Sequence, residues 1–450
     1  MTIKITPLKL IFLVLSLYWV PLEASAQQNL KVYLEEALRN NLELQNQDFM
    51  FQKSIYALKE AKGLFLPQVE LNTQYISSGG GRKIEIPIGD LLNPVYSTLN
   101  NLTSSGKFPQ VENVSQSFNP NNYYDAKVRT TLSLYNSDLN YNSRIHKEQI
   151  TLRQAQLIVY KRELIKNVKL AYFSYQQSLQ AIKVLENGVQ LATENLRINQ
   201  SLVKNGKAIR TVINRAQNEL TGLQSQLADA RLQSLNAAAY FNFLLNKPLE
   251  SAITTEGPDP VALSADTTAK YQREELLALE SAAKVSALAL SMNRGKALPK
   301  LSTFVDLGAQ GDFLKVNRDA PYYLFGVTLS WQIFTGNQNK NKTRQAALDL
   351  RSAENQSQQA GQQLQLELET AQHQLDAALQ SYKAALSQTR LSQLYFSDEQ
   401  RLYKEGQALY LELLDAQTSL INDALKESIA LLNVHTRQAE LERAGASYIF

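Results

Sequence analysis

Apolar and polar residues alternate one by one in four short stretches of this chain. From Gln68 to Tyr75, the residues Val69, Leu71, Thr73 and Tyr75 oppose Gln68, Glu70, Asn72 and Gln74. After Pro299 the same alternation places Leu301, Thr303, Val305 and Leu307 on one face. Two further runs each follow a Tyr-Tyr pair. Behind Tyr123-Tyr124, Val128, Thr130, Leu132 and Leu134 oppose Arg129, Thr131 and Ser133. Behind Tyr322-Tyr323, Val327, Leu329, Trp331 and Ile333 oppose Thr328, Ser330 and Gln332. A period of two predicts strands with one apolar and one polar face.

Elsewhere the period is helical. Residues 30–64 carry Leu34, Ala37, Leu38, Leu42 and Leu44 at helical spacing, and Pro67 ends the run. Two much longer stretches, about 138–205 and about 338–405, show a strict heptad. Val168, Tyr175, Ile182, Val189, Leu196 and Val203 fall seven apart, as do Leu368, Leu375, Tyr382, Thr389, Phe396 and Tyr403. Three residues after these come mostly small side chains: Ala171, Ser178, Leu185 and Ala192, then Ala371, Ala378, Ala385 and Ser392. Sustained heptads predict coiled-coil packing, and a helix of this length spans about 100 Å. Such a helix does not fit inside an ordinary globule.

The elements recur in one order, so the chain carries two internal repeats, the first thing to look for in a long sequence. Gly63-Leu-Phe-Leu-Pro67 returns as Gly295-Lys-Ala-Leu-Pro299, and Val203-Lys-Asn-Gly206 returns as Tyr403-Lys-Glu-Gly406. The first repeat occupies 27–246, with a strand pair over about 67–135 and a long helical hairpin over about 138–246. A linker at 247–270, containing Pro248, Pro258 and Pro260, leads to the second repeat at 271–450. There the strand pair covers about 299–334 and the hairpin about 338–443. Residues 78–122, rich in Asn, Ser and Pro, read as a long surface loop. The matching loop in the second repeat, about 309–321, is much shorter.

Composition adds the compartment. Residues 1–26 are expected to be a secretory signal peptide: Lys4 and Lys9 precede an apolar run from Leu10 to Val20, and Ala24-Ser25-Ala26 makes a small-residue cleavage site. No other apolar stretch is long enough for a helical membrane anchor. The absence of cysteine excludes disulfides, thiolate metal sites and a cysteine nucleophile. The net charge of +4 is spread along the chain without a basic, aromatic-interleaved stripe, which argues against nucleic acid.

Strands of about ten residues, apolar on one face and flanked by aromatics, suit a membrane β-barrel in contact with outer-membrane lipid. Four strands leave an open sheet, whose edge amides cannot sit unpaired in lipid. Known membrane barrels need eight strands or more. Several chains must therefore pool their strands, and a homotrimer with twelve is the economical solution. The fold class expected is mainly α with membrane β: a trimeric twelve-stranded β-barrel, four strands per chain, continuous with a long α-helical coiled-coil barrel. Its use would be as a conduit.

The chain resembles the TolC family of outer-membrane efflux channels, the outer-membrane factors. The resemblance rests on the entry helix Leu34-Glu-Glu-Ala-Leu-Arg-Asn-Asn-Leu42, the two Gly-x-x-x-Pro strand starts and Leu329-Ser-Trp-Gln-Ile-Phe-Thr-Gly336. It rests also on the tips Gly206…Asn214-Arg-Ala-Gln217 and Gly406…Leu414-Asp-Ala-Gln417. It implies an exit duct of a tripartite efflux or type I secretion system, docked to a periplasmic adaptor that belongs to an inner-membrane pump. It implies that Glu412 and Asp415, repeated by threefold symmetry, line the periplasmic entrance as carboxylate rings, and that Tyr403 helps to hold that entrance closed. The family's arginine two after the tip glycine is Ala408 here. The tips themselves, Gly206-Lys207 and Gly406-Gln407, are the expected adaptor contacts.

Catalytic chemistry has no footing. His146, His373 and His435 are scattered and form no metal-ligand pair, and Gly79-Gly-Gly81 lacks the spacing and the lysine of a phosphate loop. No catalytic residue, metal site or cofactor is expected. The competing reading, a periplasmic coiled-coil adaptor or scaffold, accounts for the heptads and the leader. It leaves the two strand pairs and the duplication unexplained.

Overall fold

The computed structural model describes residues 26–119, 121–255, 273–312, 315, 317–448 and 450. The expected leader, apart from Ala26, and the part of the linker from residue 256 onward lie outside the described residues. The chain divides into two compact units. Among the described residues, one gathers 26–54, 148–255, 273–285 and 350–450, the other 55–147 and 286–349. Each draws on both repeats, so compactness cuts across the duplication.

The smaller unit is built on a sheet of four antiparallel strands: β1 (Gln68–Ile76), β4 (Tyr123–Tyr135), β5 (Lys300–Asp312) and β6 (Pro321–Ser330), in the order β1-β4-β5-β6. The strand pairs of the two repeats thus lie side by side, joined through β4 and β5. Register brings the apolar positions into rows: Leu71, Val128, Leu307 and Tyr323 form one, and Val69, Thr130, Val305 and Phe325 the next. Within one chain this face is bare, with Leu71 69% and Phe325 64% exposed. The opposite face is polar and internally paired. Arg129 donates to both oxygens of Asp306, at 2.7 and 2.6 Å. Lys127 meets Asp125 at 2.6 Å, and the Tyr322 hydroxyl donates to Asp125 at 2.7 Å.

Two sequence expectations need correction in this unit. The segment 78–122 is not an irregular loop. It folds as a two-stranded hairpin, β2 (Lys83–Ile86) with β3 (Val114–Ser117), enclosing a helix α3 (Ile88–Thr103). Its asparagines, read as loop formers, are the side chains that tie this insert together. The last strand also ends sooner than the alternation to Phe334 implied. Ser330 is the final paired residue because its partner strand begins at Lys300. Trp331 beyond it donates its indole N–H to the Ala297 carbonyl at 3.0 Å.

The larger unit is helical, and four of the helices below also have a stretch within the smaller unit's residue ranges. The expected single helix over 30–64 is two, α1 (Ala26–Asn40) and α2 (Leu42–Gly63). Asn41 breaks it: its side-chain oxygen accepts from the Leu44 N–H at 3.0 Å, capping α2, while its amide donates to the Leu244 carbonyl at 3.0 Å. The long helices are α4 (Ser137–Lys204) and α5 (Thr211–Leu244) in the first repeat, and α7 (Gln338–Glu405) and α8 (Tyr410–Ala444) in the second, with α6 (Glu274–Gly295) between. Heptad positions supply their core. Val168 is fully buried, and the small residues Ala171, Ala192, Ala371, Ala378 and Ala385 are all under 9% exposed. An aromatic knot, Tyr33 and Tyr172 against Phe241 at 5.1 and 5.8 Å between ring centres, seals α1 onto α4 and α5. The end of α8 is tied down by charge. Arg443 reaches Glu163 at 3.0 Å and Glu367 at 3.3 Å, and Arg273 donates to the Ala444 carbonyl at 2.9 Å. Among the described residues no helix is long and apolar enough to cross a membrane.

Candidate functional site: the two hairpin tips

Each long hairpin reverses at a glycine, and the two reversals share their hydrogen bonds. The Gly206 N–H donates to the Val203 carbonyl at 3.0 Å and the Lys207 N–H to the Leu202 carbonyl at 2.9 Å. In the second repeat Gly406 donates to Tyr403 at 3.1 Å and Gln407 to Leu402 at 2.9 Å. This is the Schellman pattern of a helix C-terminus, which needs a left-handed residue. Gly206 at φ 69° and Gly406 at φ 77° supply it. A Cβ at either would meet no atom within 4 Å, so backbone conformation, not crowding, selects glycine. Lys207 and Gln407 follow as exposed side chains.

The residues expected at an entrance are placed differently from one another. Glu412 and Asp415 are exposed, near the start of α8. Glu412 also accepts from the Leu409 backbone N–H at 2.7 Å, so it caps its own helix. Tyr403 is only 8% exposed, in a core with Ala216, Phe396, Tyr410, Leu413, Ala416 and Leu420. Its ring tilts against Tyr410 at 5.8 Å and its hydroxyl donates to Asn199 Oδ1. Burial comes first among the causes that push the Tyr410 hydroxyl up to about 12, and burial also raises Tyr403.

A buried polar ladder lies behind these residues, and sequence reasoning had missed it. The Asn199 amide donates to the Asn195 carbonyl at 2.9 Å, and the Asn195 amide donates to Gln417 Oε1. Asn199 is fully buried, Asn195 2% exposed and Gln417 1%. The ladder fastens α4 of the first hairpin to α7 and α8 of the second. A signal was present: Asn199 continues the series Ala171, Ser178, Leu185, Ala192 by one more heptad, and a polar residue at a coiled-coil core position is a known register device.

No curated relative matches the sequence. Solved structures share the fold over nearly the whole chain. The open-state MtrE outer membrane channel of Neisseria gonorrhoeae is 18% identical, with a TM-score of 0.74, covering 93% of this chain and 88% of that one. The CmeC outer membrane channel of Campylobacter jejuni is 14% identical, with a TM-score of 0.76, covering 93% and 85%. The outer membrane protein VceC of Vibrio cholerae is 13% identical, with a TM-score of 0.76, covering 92% and 95%. The family described as outer membrane efflux protein matches residues 33–247 and 267–446. With both repeats matched, the chain belongs to the outer membrane efflux protein family.

Proposed function

We propose that this outer-membrane channel works as the exit duct of a tripartite efflux or type I secretion system, with three copies pooling their sheets into a twelve-stranded barrel and their helices extending into the periplasm. One observation carries the reading: the sheet is bare and apolar on one face, polar on the other, and open at both edges, β1 and β6. Lipid accepts the apolar face but not an unpaired edge, so each β1 must meet a β6 of another copy. The polar face, with its paired Arg129 and Asp306, then faces water. Trp331, Ile333 and Phe334, 57%, 81% and 83% exposed just past β6, suit an interfacial aromatic girdle.

In the assembled channel Glu412 and Asp415 would stand as rings at the periplasmic entrance, favouring cations. The tips at Gly206-Lys207 and Gly406-Gln407 would receive the periplasmic adaptor, which couples the duct to an inner-membrane pump. Tyr403 would act on closure indirectly, by holding the second hairpin to Asn199 of the first.

Single-channel recording of the purified protein in a planar bilayer tests the reading, beside a light-scattering mass. The expected result is a trimer giving discrete, cation-preferring steps, with the preference lost on replacing Glu412 and Asp415 together by neutral amides. A monomer that inserts no conducting unit would overturn the duct. A conducting trimer indifferent to the double replacement would overturn the entrance assignment alone. A Gly406→Val channel that still captures the adaptor normally would overturn the tip assignment.

A further inference from the structure

The insert between β1 and β4 presents a surface that a conduit does not need. β1 runs from Gln68 to Ile76 and β4 from Tyr123 to Tyr135, so the insert joins the Ile76 and Tyr123 ends of that pair. Its helix α3 is folded inside out. Asn93 and Asn100, seven apart, each grip the backbone of the returning segment twice. Asn93 donates to the Val111 carbonyl at 3.0 Å and accepts from the Val111 N–H at 2.8 Å. Asn100 does the same with Phe108 at 2.8 and 3.1 Å. Asn113 adds a contact to Asp90 at 3.0 Å, and Gly89 lets the Val111 carbonyl pass where a Cβ would lie 2.3 Å away.

The polar side of α3 is therefore consumed within the insert, and its apolar side is left outward. Ile88, Val95 and Leu102 fall seven apart, with Leu91, Leu92 and Leu99 between them. Leu91 is 69% exposed, Val95 52% and Leu102 77%. A heptad seam is shaped to receive another helix. We propose that this seam packs against the same α3 of neighbouring copies, so that the inserts of one channel associate into a helical cluster at the Ile76 and Tyr123 end of the barrel.

Three observations select a second copy as the occupant. The seam has coiled-coil spacing, which a flat lipid surface does not require. From Ile84 to Gly106 there is no Lys or Arg, whereas helices that lie on anionic membranes carry cations beside their apolar face. And the insert hangs from β1, an edge strand, so it sits at the subunit boundary. Tethering on a shared barrel also gives the helices a high effective concentration, which lets a short seam associate. The inference rests on the trimeric duct proposed above.

The chain has no cysteine, so single cysteines report cleanly. Val95→Cys and Leu102→Cys place a thiol on the seam, and Ser97→Cys places one on the helix's other side. All three are made in the full chain, reconstituted in phospholipid vesicles and in detergent, with the mass of each sample measured by light scattering. The expected result is a trimer in which mild oxidation converts most of the Val95→Cys or Leu102→Cys protein to covalent dimer, with at least a fivefold lower yield for Ser97→Cys. Two results on a trimer would overturn this inference and leave the duct standing. One is seam thiols that stay monomeric and react freely with a membrane-impermeant maleimide. The other is seam thiols shielded in vesicles but not in detergent, which would make lipid the occupant. A sample that is not trimeric would overturn both readings.

Discussion

The two hairpin tips reverse through the same turn and then diverge within six residues. After Gly206, α5 begins at Thr211 behind Arg210, whose backbone is already helical and whose side chain makes no capping bond. After Gly406, α8 begins at Tyr410 behind an extended Leu409, with Glu412 closing the first turn. Where the second repeat has Glu412 and Asp415, the first has Val212 and Arg215. Ala216 and Ala416 are both buried, yet Gln217 beside the first is exposed while Gln417 beside the second is sealed against Asn195. Duplication therefore preserved the turn and the close-packing alanine, which any antiparallel hairpin needs. The residues that distinguish a structural tip from one bearing charge and a buried latch were free to separate.

The sharpest way to break this comparison is to hollow out each tip. Leu413 is fully buried, whereas its counterpart Ile213 is only half-buried. Leu413→Ala should cost about 2–5 kcal/mol and Ile213→Ala clearly less. Thermal unfolding followed by circular dichroism reads the difference, and equal losses would mean the tips carry equal weight. Next is the latch. Tyr403→Phe strands the buried Asn199 oxygen and should destabilise by about 1–3 kcal/mol, visible as faster proteolysis at Lys404 than at Lys207. Unchanged cleavage at both would show that the latch does not hold the second tip.

Glu412 separates its two roles by substitution. Glu412→Ala should cost about 1 kcal/mol through the lost hydrogen bond from the Leu409 N–H. Glu412→Gln keeps an acceptor for the Leu409 N–H and removes only the charge. Conductance selectivity should change in both variants and stability chiefly in the first. Arg215→Ala should leave both unchanged. The smallest effect is alkaline. Tyr410 ionises at about 12 in the folded chain instead of the ordinary 10, so the folded state holds its proton more tightly. That contribution is complete below pH 10 and is lost as the pH rises through 12. Tm should fall less steeply across that window in Tyr410→Phe than in the parent, and identical slopes would exclude Tyr410 as the source.

Much of the architecture was legible because it rests on short periods. Val69, Leu71, Thr73 and Tyr75 announce a strand face whatever lies beside them, and the heptad from Val168 to Val203 announces a coiled coil in the same way. Gly206 and Gly406 stood out because each ends a heptad series three residues earlier. What escaped was decided by single side chains finding remote partners. Asn41 splits the first helix by capping Leu44 and reaching Leu244. Asn93 and Asn100 turn an apparent loop into a helix clasped to Val111 and Phe108. Asparagine favours turns in local statistics, and around Asn93 and Asn100 that tendency masks the helical spacing of Ile88, Leu91, Leu92, Val95, Leu99 and Leu102.

By itself, then, the sequence determined the duplicated order of the four long strands and the helices, the two glycine turns and the apolar face of β1, β4, β5 and β6, since each follows from backbone sterics and hydrophobic period within a few residues. Only the tertiary structure decided that β4 and β5 join the repeats into one sheet, that Tyr403 and Gln417 are latched to Asn199 and Asn195, and that α3 turns its apolar seam outward. Those outcomes depend on which distant backbone and side-chain groups satisfy one another once buried; the local pattern marks Asn199 as a heptad position but does not name its partner.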